Sequence, residues 1–197
     1  MKVMLQLLFA ALSSSLIQNI IFAGGYGVSE ALRISGKPKQ ILTSTGTVTA
    51  FMTISAVASR ALDFIPKIDA LSNILHMLIF VGVLFVVYFI TIIIFYFGLH
   101  APKSFMHLFS MSAFNTLVLA IPLLNRRAAY SIWECFGFAL GAGVAFLVAT
   151  YLINVGIRKI EENDTVPEAF KSTPVLFVYI GLLALAFMGF SGQSLFV

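Results

Sequence analysis

Between Leu75 and Phe97 the chain runs through Ile, Val, Phe and Leu without a charged side chain, and Tyr88, Thr91 and Tyr96 are its main polar members. A helix that is apolar on every face belongs in lipid or deep inside a bundle. A helical membrane span needs roughly 20 such residues. This stretch alone commits the chain to a membrane, and the composition agrees. Of 197 residues, 60% are hydrophobic and 10% charged, with a mean hydropathy of +1.01. Soluble domains carry about 25% charged residues, and no soluble core of this size could hide so much apolar surface. The length leaves room for about six spans joined by short loops. Twelve Lys and Arg against eight Asp and Glu give a net charge of +4. In such a chain that excess reads as an orientation signal for membrane lipid, not as a nucleic-acid footprint.

The single cysteine, Cys135, excludes an intrachain disulfide, and no Cys/His cluster has metal-ligand spacing. The apolar run after Lys2 continues for about a full span without a convincing small-x-small cleavage site, so it reads as a retained helix.

The spacing predicts six spans, at about Met4–Phe22, Ile41–Leu62, Leu75–Phe97, Phe105–Leu124, Ile132–Ile157 and Val175–Phe190. The segments between them, Ser29–Gln40 and Arg158–Asp164 among others, read as loops. The second span is rich in Thr, Ser, Ala and Gly, which lets membrane helices pack backbone to backbone. It is expected at the centre of the bundle, and the third span is expected to face lipid. Gly137 and Gly141 in the fifth span form a small-xxx-small contact face. Loops one, three and five hold Arg33, Lys37, Lys39, Lys103, Arg158, Lys159 and Lys171; the other end holds Lys2, Arg60, Lys67, Arg126 and Arg127. The richer end faces the cytoplasm, which puts both termini outside.

Two spans are interrupted by polar residues. Ser13–Gly27 holds three serines, Gln18-Asn19 and the glycines Gly24, Gly25 and Gly27. Ser110–Pro122 holds Ser112, Asn115 and Thr116. Bare backbone at membrane depth is tolerated only where protein or a cavity receives it. Spans one and four are both interrupted, two and five are both small-residue-rich, and three and six are both greasy. The pattern predicts an all-α inverted 3+3 repeat, one membrane domain over 1–197 with halves of roughly 1–98 and 99–197. Interrupted segments at matching positions are the sequence pointer to a midplane site. The candidate site is Gln18, Asn19, Gly24, Gly25, Asn115 and Thr116, with the breaks expected after Asn19 at Gly24-Gly25 and after Asn115 at Pro122. The same residues are equally compatible with hydrogen-bonding glue between packed helices.

Other polar features read more plainly. Ser44-Thr45-Gly46-Thr47 is faintly similar to a flavin-attachment threonine motif, but hydroxyls bonding within a packed helix account for it. His76, His100 and His107 lie near span ends and read as interfacial. Cys135 reads as a small buried hydrophobe, and Glu134 as an interfacial anchor or a membrane-facing carboxylate. No catalytic or metal-ligating residue is expected.

The chain resembles the membrane subunits of the Rnf and Nqr electron-transport complexes, in the branch that contains RnfA and NqrE. The resemblance rests on Val166-Pro167-Glu168-Ala169-Phe170-Lys171 and on the run from Leu183 to Gly192. It rests also on Gly27-Val28-Ser29, on Gln18-Asn19, on Asn115-Thr116 and on Leu123-Leu124-Asn125. It implies the inverted repeat, termini outside, and partner subunits in a homo- or hetero-oligomer with a paralogue. In that family each of two paired subunits places one cysteine in each broken helix, and together they hold a 2Fe–2S cluster. Here Thr116 stands at the second cysteine position and Gly24-Gly25-Tyr26 fills the region of the first. A hydroxyl does not replace a thiolate on iron, so no cofactor is expected. The reading is a membrane subunit that serves as scaffold or as a path for Na⁺ or H⁺. The alternatives are a stand-alone transporter or permease on the same scaffold, or a packing subunit with no site.

Overall fold

A computed structural model describes residues 2–17, 19–65, 73–98, 100, 102–168, 170–171 and 173–191, and no strand occurs among them. Helix α1 (Lys2–Leu12) runs into a π-helical turn, Ser13–Ile17, and after an interruption the short α2 (Ile20–Gly24) and α3 (Val28–Ser35) follow. A 3-10 turn, Pro38–Gln40, leads into α4 (Ile41–Leu62). Helix α5 (Asn73–Ile93) ends in a second π-helical turn, Ile94–Gly98. Helices α6 (Lys103–Ala113) and α7 (Thr116–Arg127) are two halves of one interrupted segment. The chain then forms α8 (Ile132–Glu161), its longest helix, and α9 (Thr173–Ser191). Four stretches are long and apolar enough to cross a membrane: Pro38–Leu62, Ile74–Gly98, Phe105–Arg127 and Ile132–Glu161. Val3–Ser15 and Thr173–Gly189 are shorter apolar helices.

Several boundaries differ from the sequence expectation. Much of the expected loop Ser29–Gln40 is helix α3, amphipathic enough to bury Ala31 and Ile34 before Gly36 ends it. The expected loop at Arg158 begins instead as the last turn of α8, where Arg158 and Lys159 complement the negative end of the helix. Pro122 does not break the fourth segment; it sits buried inside α7. The break lies earlier, at Phe114-Asn115. The first segment is likewise broken twice, before Ile20 and again across Gly25–Gly27.

Helix α8 is the axis of the bundle. In its apolar window 61% of residues are buried, against 44% for the α4 stretch and 11% for α5. The second span is therefore inside, but the fifth is more so, and α5 presents its large side chains outward. The glycines of α8 explain its place. A Cβ at Gly137 would lie 2.4 Å from the carbonyl oxygen of Leu7, and one at Gly141 would lie 2.2 Å from that of Ala11. These two residues let α1 press its backbone against α8. Ser14 Oγ then donates across the contact to Phe138 O at 2.9 Å. Gly143 admits the Thr49 side chain of α4, and Gly156 admits the Tyr179 ring of α9, whose hydroxyl donates to Leu152 O at 3.1 Å. Phe22 stacks on Phe187 with ring centroids 4.9 Å apart, which ties α2 to α9.

Three threonines of α4 bond within the helix, while Ser44, Thr45, Ser55 and Ser59 bury their hydroxyls with no hydrogen-bond partner among the described residues. Thr47, Thr49 and Thr53 each donate to the carbonyl four residues back, at 2.7–2.8 Å. Of the Ser44–Thr47 run, Thr47 alone shows the within-helix bonding expected; Ser44 and Thr45 do not. Because backbone atoms meet Gly141, Gly141→Leu cannot be relieved by a rotamer change. It should lower the unfolding midpoint in detergent by the equivalent of about 1–3 kcal/mol. Gly46 has open space around it, so Gly46→Ala should stabilise by up to about 1 kcal/mol; thermal denaturation of both variants checks the contrast.

Candidate functional site

The two interrupted segments are built alike. In each, an asparagine stands at the break and caps the half-helix that follows. Asn19 Oδ1 accepts from the amides of Ile21 and Phe22, both at 3.2 Å. Asn115 Oδ1 accepts from Leu117 N at 3.0 Å. Helix starts carry amides with no partner inside the helix. A side-chain oxygen that takes them up is worth about 1 kcal/mol in ordinary proteins, and an amide left bare in hydrocarbon costs several. Both asparagines are buried. Asn19 Nδ2 reaches back to Ser15 O at 3.5 Å, closing over the π-helical turn.

The two breaks meet through Gly27. Its amide donates to Thr116 Oγ1 at 2.9 Å, and its backbone is left-handed, with φ of +79°. A Cβ there would come within 3.1 Å of Leu117 Cβ and 3.3 Å of Asn115 Oδ1. Only glycine meets both the conformation and the clearance. The end of the first break is thereby fastened to the start of α7, the half-helix after the second. Of the expected site residues, Asn115 and Thr116 lie at this junction. Asn19 caps its own half-helix. Gly25 is the left-handed C-cap of α2, and Gly24 packs against the Tyr26 ring. Gln18 lies outside the described residues. Gly27 is the residue that sequence reasoning placed in the break without giving it a role.

One face of the junction is open. Ala23, Gly24, Gly25, Phe114 and Thr116 are exposed, whereas Gly27, Asn115 and Leu117 are buried. The groups here are neutral dipoles. They can orient a polar partner or pass a desolvated cation between oxygens, but they carry no nucleophile and no acid–base pair. The residues do not fit an iron–sulfur cluster. Cluster ligands are thiolates or, in some centres, imidazoles. Thr116 Oγ1 already accepts the Gly27 amide, and Gly24-Gly25 offers no side chain. Cys135 is fully buried, and its Sγ faces Tyr130 O at 3.8 Å. Among the described residues, no group of three or more His, Cys, Asp or Glu side chains is placed to hold a metal ion.

A second polar centre was not expected from the sequence. Asp63, which reads as a turn residue, is buried at the end of α4. Its carboxylate is met by Arg126 Nη1 at 3.2 Å, Arg60 Nη1 at 3.3 Å and His76 Nε2 at 3.5 Å. Arg60 Nε also donates to Tyr130 O at 2.7 Å. His76 is completely buried against this carboxylate, whereas His100 and His107 are exposed. The cluster joins α4, α5, α7 and the turn before α8 at one end of the bundle. The only sequence signal was the spacing of Arg60 and Asp63 in the last turn of a span. Glu134 is a cap instead of a free carboxylate: it accepts from Ser131 N at 2.8 Å, and Ser131 Oγ caps α8 in return.

The Arg60 contact has a counterpart at the opposite end. Asn154 of α8 donates to Ser35 O at the close of α3, as Arg60 of α4 donates to Tyr130 O beyond α7. Each small-residue-rich helix thus grips the exit of the other half's broken segment.

Comparison with known proteins points to a membrane subunit. A family model described as "Rnf-Nqr subunit, membrane protein" matches residues 7–194. A subunit of the ion-translocating oxidoreductase complex of Syntrophotalea carbinolica is 29% identical, over 96% of this chain and 98% of that protein. A subunit of the Na⁺-translocating ferredoxin:NAD⁺ oxidoreductase complex of Acetobacterium woodii is 28% identical over the same shares. The counterpart from the proton-translocating ferredoxin:NAD⁺ oxidoreductase complex of Clostridium ljungdahlii is 37% identical over 41% of this chain and 42% of its own.

Three substitutions separate the centres. Thr116→Val keeps the volume but strands the Gly27 amide, and should destabilise the detergent-solubilised protein by about 1–3 kcal/mol. Thr116→Ser should restore it. Asp63→Asn removes the charge that two arginines share, and should cost about 3 kcal/mol. Thermal unfolding of the three variants reads both effects.

Proposed function

The chain belongs to the Rnf-Nqr family of membrane subunits, and from that premise we propose that it is an integral membrane subunit of an ion-translocating electron-transport complex, acting as scaffold or ion path without an iron–sulfur cluster of its own. The observation that carries the reading is the junction of Gly27 with Thr116. It fastens the two interrupted segments together where relatives of this branch are expected to place cluster ligands. The matched asparagine caps and the reciprocal grips of Arg60 and Asn154 support an inverted 3+3 repeat, with α1–α2 and α9 as the outer spans. A multi-pass membrane protein built this way has its interrupted backbone near mid-depth.

The open face of the junction supports a partner. Lipid-exposed irregular backbone is not tolerated in the hydrocarbon region, yet Gly24, Gly25 and Thr116 are exposed in the single chain. A second membrane protein, either a paralogue or another copy, covers them. Electron transfer then runs through centres held by partners, and this chain fixes their spacing across the membrane. The relatives' names cover both sodium and proton translocation, and either ion suits a path lined by hydroxyls and amides.

Isolation in mild detergent without oxygen tests the reading. Flavin- and iron–sulfur-bearing subunits should co-purify, and Ala23→Cys, an exposed position beside the junction, should cross-link to a membrane partner. A homo-oligomer without redox partners would favour a stand-alone permease instead. Stoichiometric iron and acid-labile sulfide in this chain purified by itself would overturn the cluster-free reading.

A further inference from the structure

We propose that a cleft between the starts of α4 and α6 binds the phosphate headgroup of an anionic phospholipid. The cleft has a volume of about 490 Å³ and opens outward. One wall is the end of α3 and the first turn of α4, with Arg33, Lys37 and Thr43; the other is the beginning of α6, with Phe105, His107 and Leu108. Cations and a hydroxyl thus face an apolar wall, which is the pairing that a phosphate ester with acyl chains requires. The depth is also right. Two membrane-entering helices begin here, at Ile41 and Lys103, so the cleft lies where apolar spans meet water.

Local charge points to an anion. Residues 28–43 and 98–110 contain Arg33, Lys37, Lys39 and Lys103 against the single acid Glu30. Glu30 orients Arg33, accepting from its Nε at 2.9 Å and pairing also with Nη2. The carboxylate takes the Nε–Nη2 edge, which fixes the guanidinium plane at the cleft wall and leaves Nη1 to meet an anionic oxygen. The helix starts at the cleft, at Gln40 and at Pro102, lack a side-chain cap, as does that of α3 at Gly27. At α4 the Ile41 amide donates to Pro38 O of the preceding 3-10 turn; the partial positive charge of the α6 start favours an anionic oxygen. This end of the bundle is also the one that the Lys and Arg count assigns to the cytoplasm, whose leaflet carries the anionic lipid. The site is independent of the helix-break junction and of the proposed redox role.

The test uses the full chain, delipidated in mild detergent, then exposed to phosphatidylglycerol or phosphatidylcholine and examined by native mass spectrometry. One phosphatidylglycerol per chain should be retained under conditions that strip phosphatidylcholine. Arg33→Gln/Lys37→Gln should lower that retention about tenfold, while Arg158→Gln/Lys159→Gln, which removes two exposed charges from the same end outside the cleft, should change it less than about twofold. Circular dichroism checks that the variants fold; should the double variant fail, Lys37→Gln and His107→Gln, both at exposed positions, carry the comparison. Equal loss in both double variants would mean diffuse surface attraction and overturn the site. So would retention that ignores the cleft charges. Stabilisation by millimolar inorganic phosphate to the extent given by the lipid would assign the cleft to free phosphate and overturn the lipid. An acidic protein segment that co-isolates and is lost in the cleft variants, with no preference for phosphatidylglycerol, would overturn it in favour of a protein partner.

Discussion

Every backbone N–H and C=O placed inside a membrane must find a partner within the protein, because lipid offers none. The fold is arranged around the two places where its helices break that rule. At each, an asparagine carbonyl takes amides of the next half-helix, and Gly27 hands its own amide to Thr116 across the junction. Without these bonds each of those amides would cost roughly several kcal/mol in hydrocarbon. With them, the chain gains half-helices that end inside the bundle, a geometry in which secondary transporters place ions and substrates.

The breaks need a rigid support, and α8 supplies it. Its glycines let α1, α4 and α9 approach on three sides. Lipid tails are as apolar as the side chains, so hydrophobicity cannot hold these helices together. Close packing and hydrogen bonds such as Ser14 to Phe138 do so instead. The buried Asp63 cluster adds an electrostatic tie at one end. Its cost of desolvation is met by three cationic or titratable partners around one carboxylate.

Much of this was legible beforehand, for specific reasons. The run Leu75–Phe97 announced a lipid-facing helix because nothing in it can serve any other surroundings. Gly137 and Gly141 announced a helix contact by their spacing. Asn19 and Asn115 announced breaks. The interruption read at Gly24-Gly25 is present, with a further one at Asn19 before Ile20; the one read at Pro122 is misplaced, since Pro122 is carried inside α7 and the break lies at Phe114-Asn115. Helix α3 was hidden because its polar face reads as loop, and its burial depends on α8. The cluster at Asp63 was hidden because its members, Arg60, Asp63, His76 and Arg126, come from three helices.

The sequence by itself determined that this is a helical membrane protein of the Rnf-Nqr kind, with two interrupted segments and no cysteine in either of them. Those features are local: hydropathy, small-residue spacing and residue identity do not depend on the partner across the bundle. The tertiary structure alone decided that Gly27 joins the two breaks, that one face of the junction is left open, and that a carboxylate from one turn is neutralised by side chains from other helices. Each of these depends on which backbone surfaces meet, and that is set by how closely the glycines of α8 let its neighbours approach.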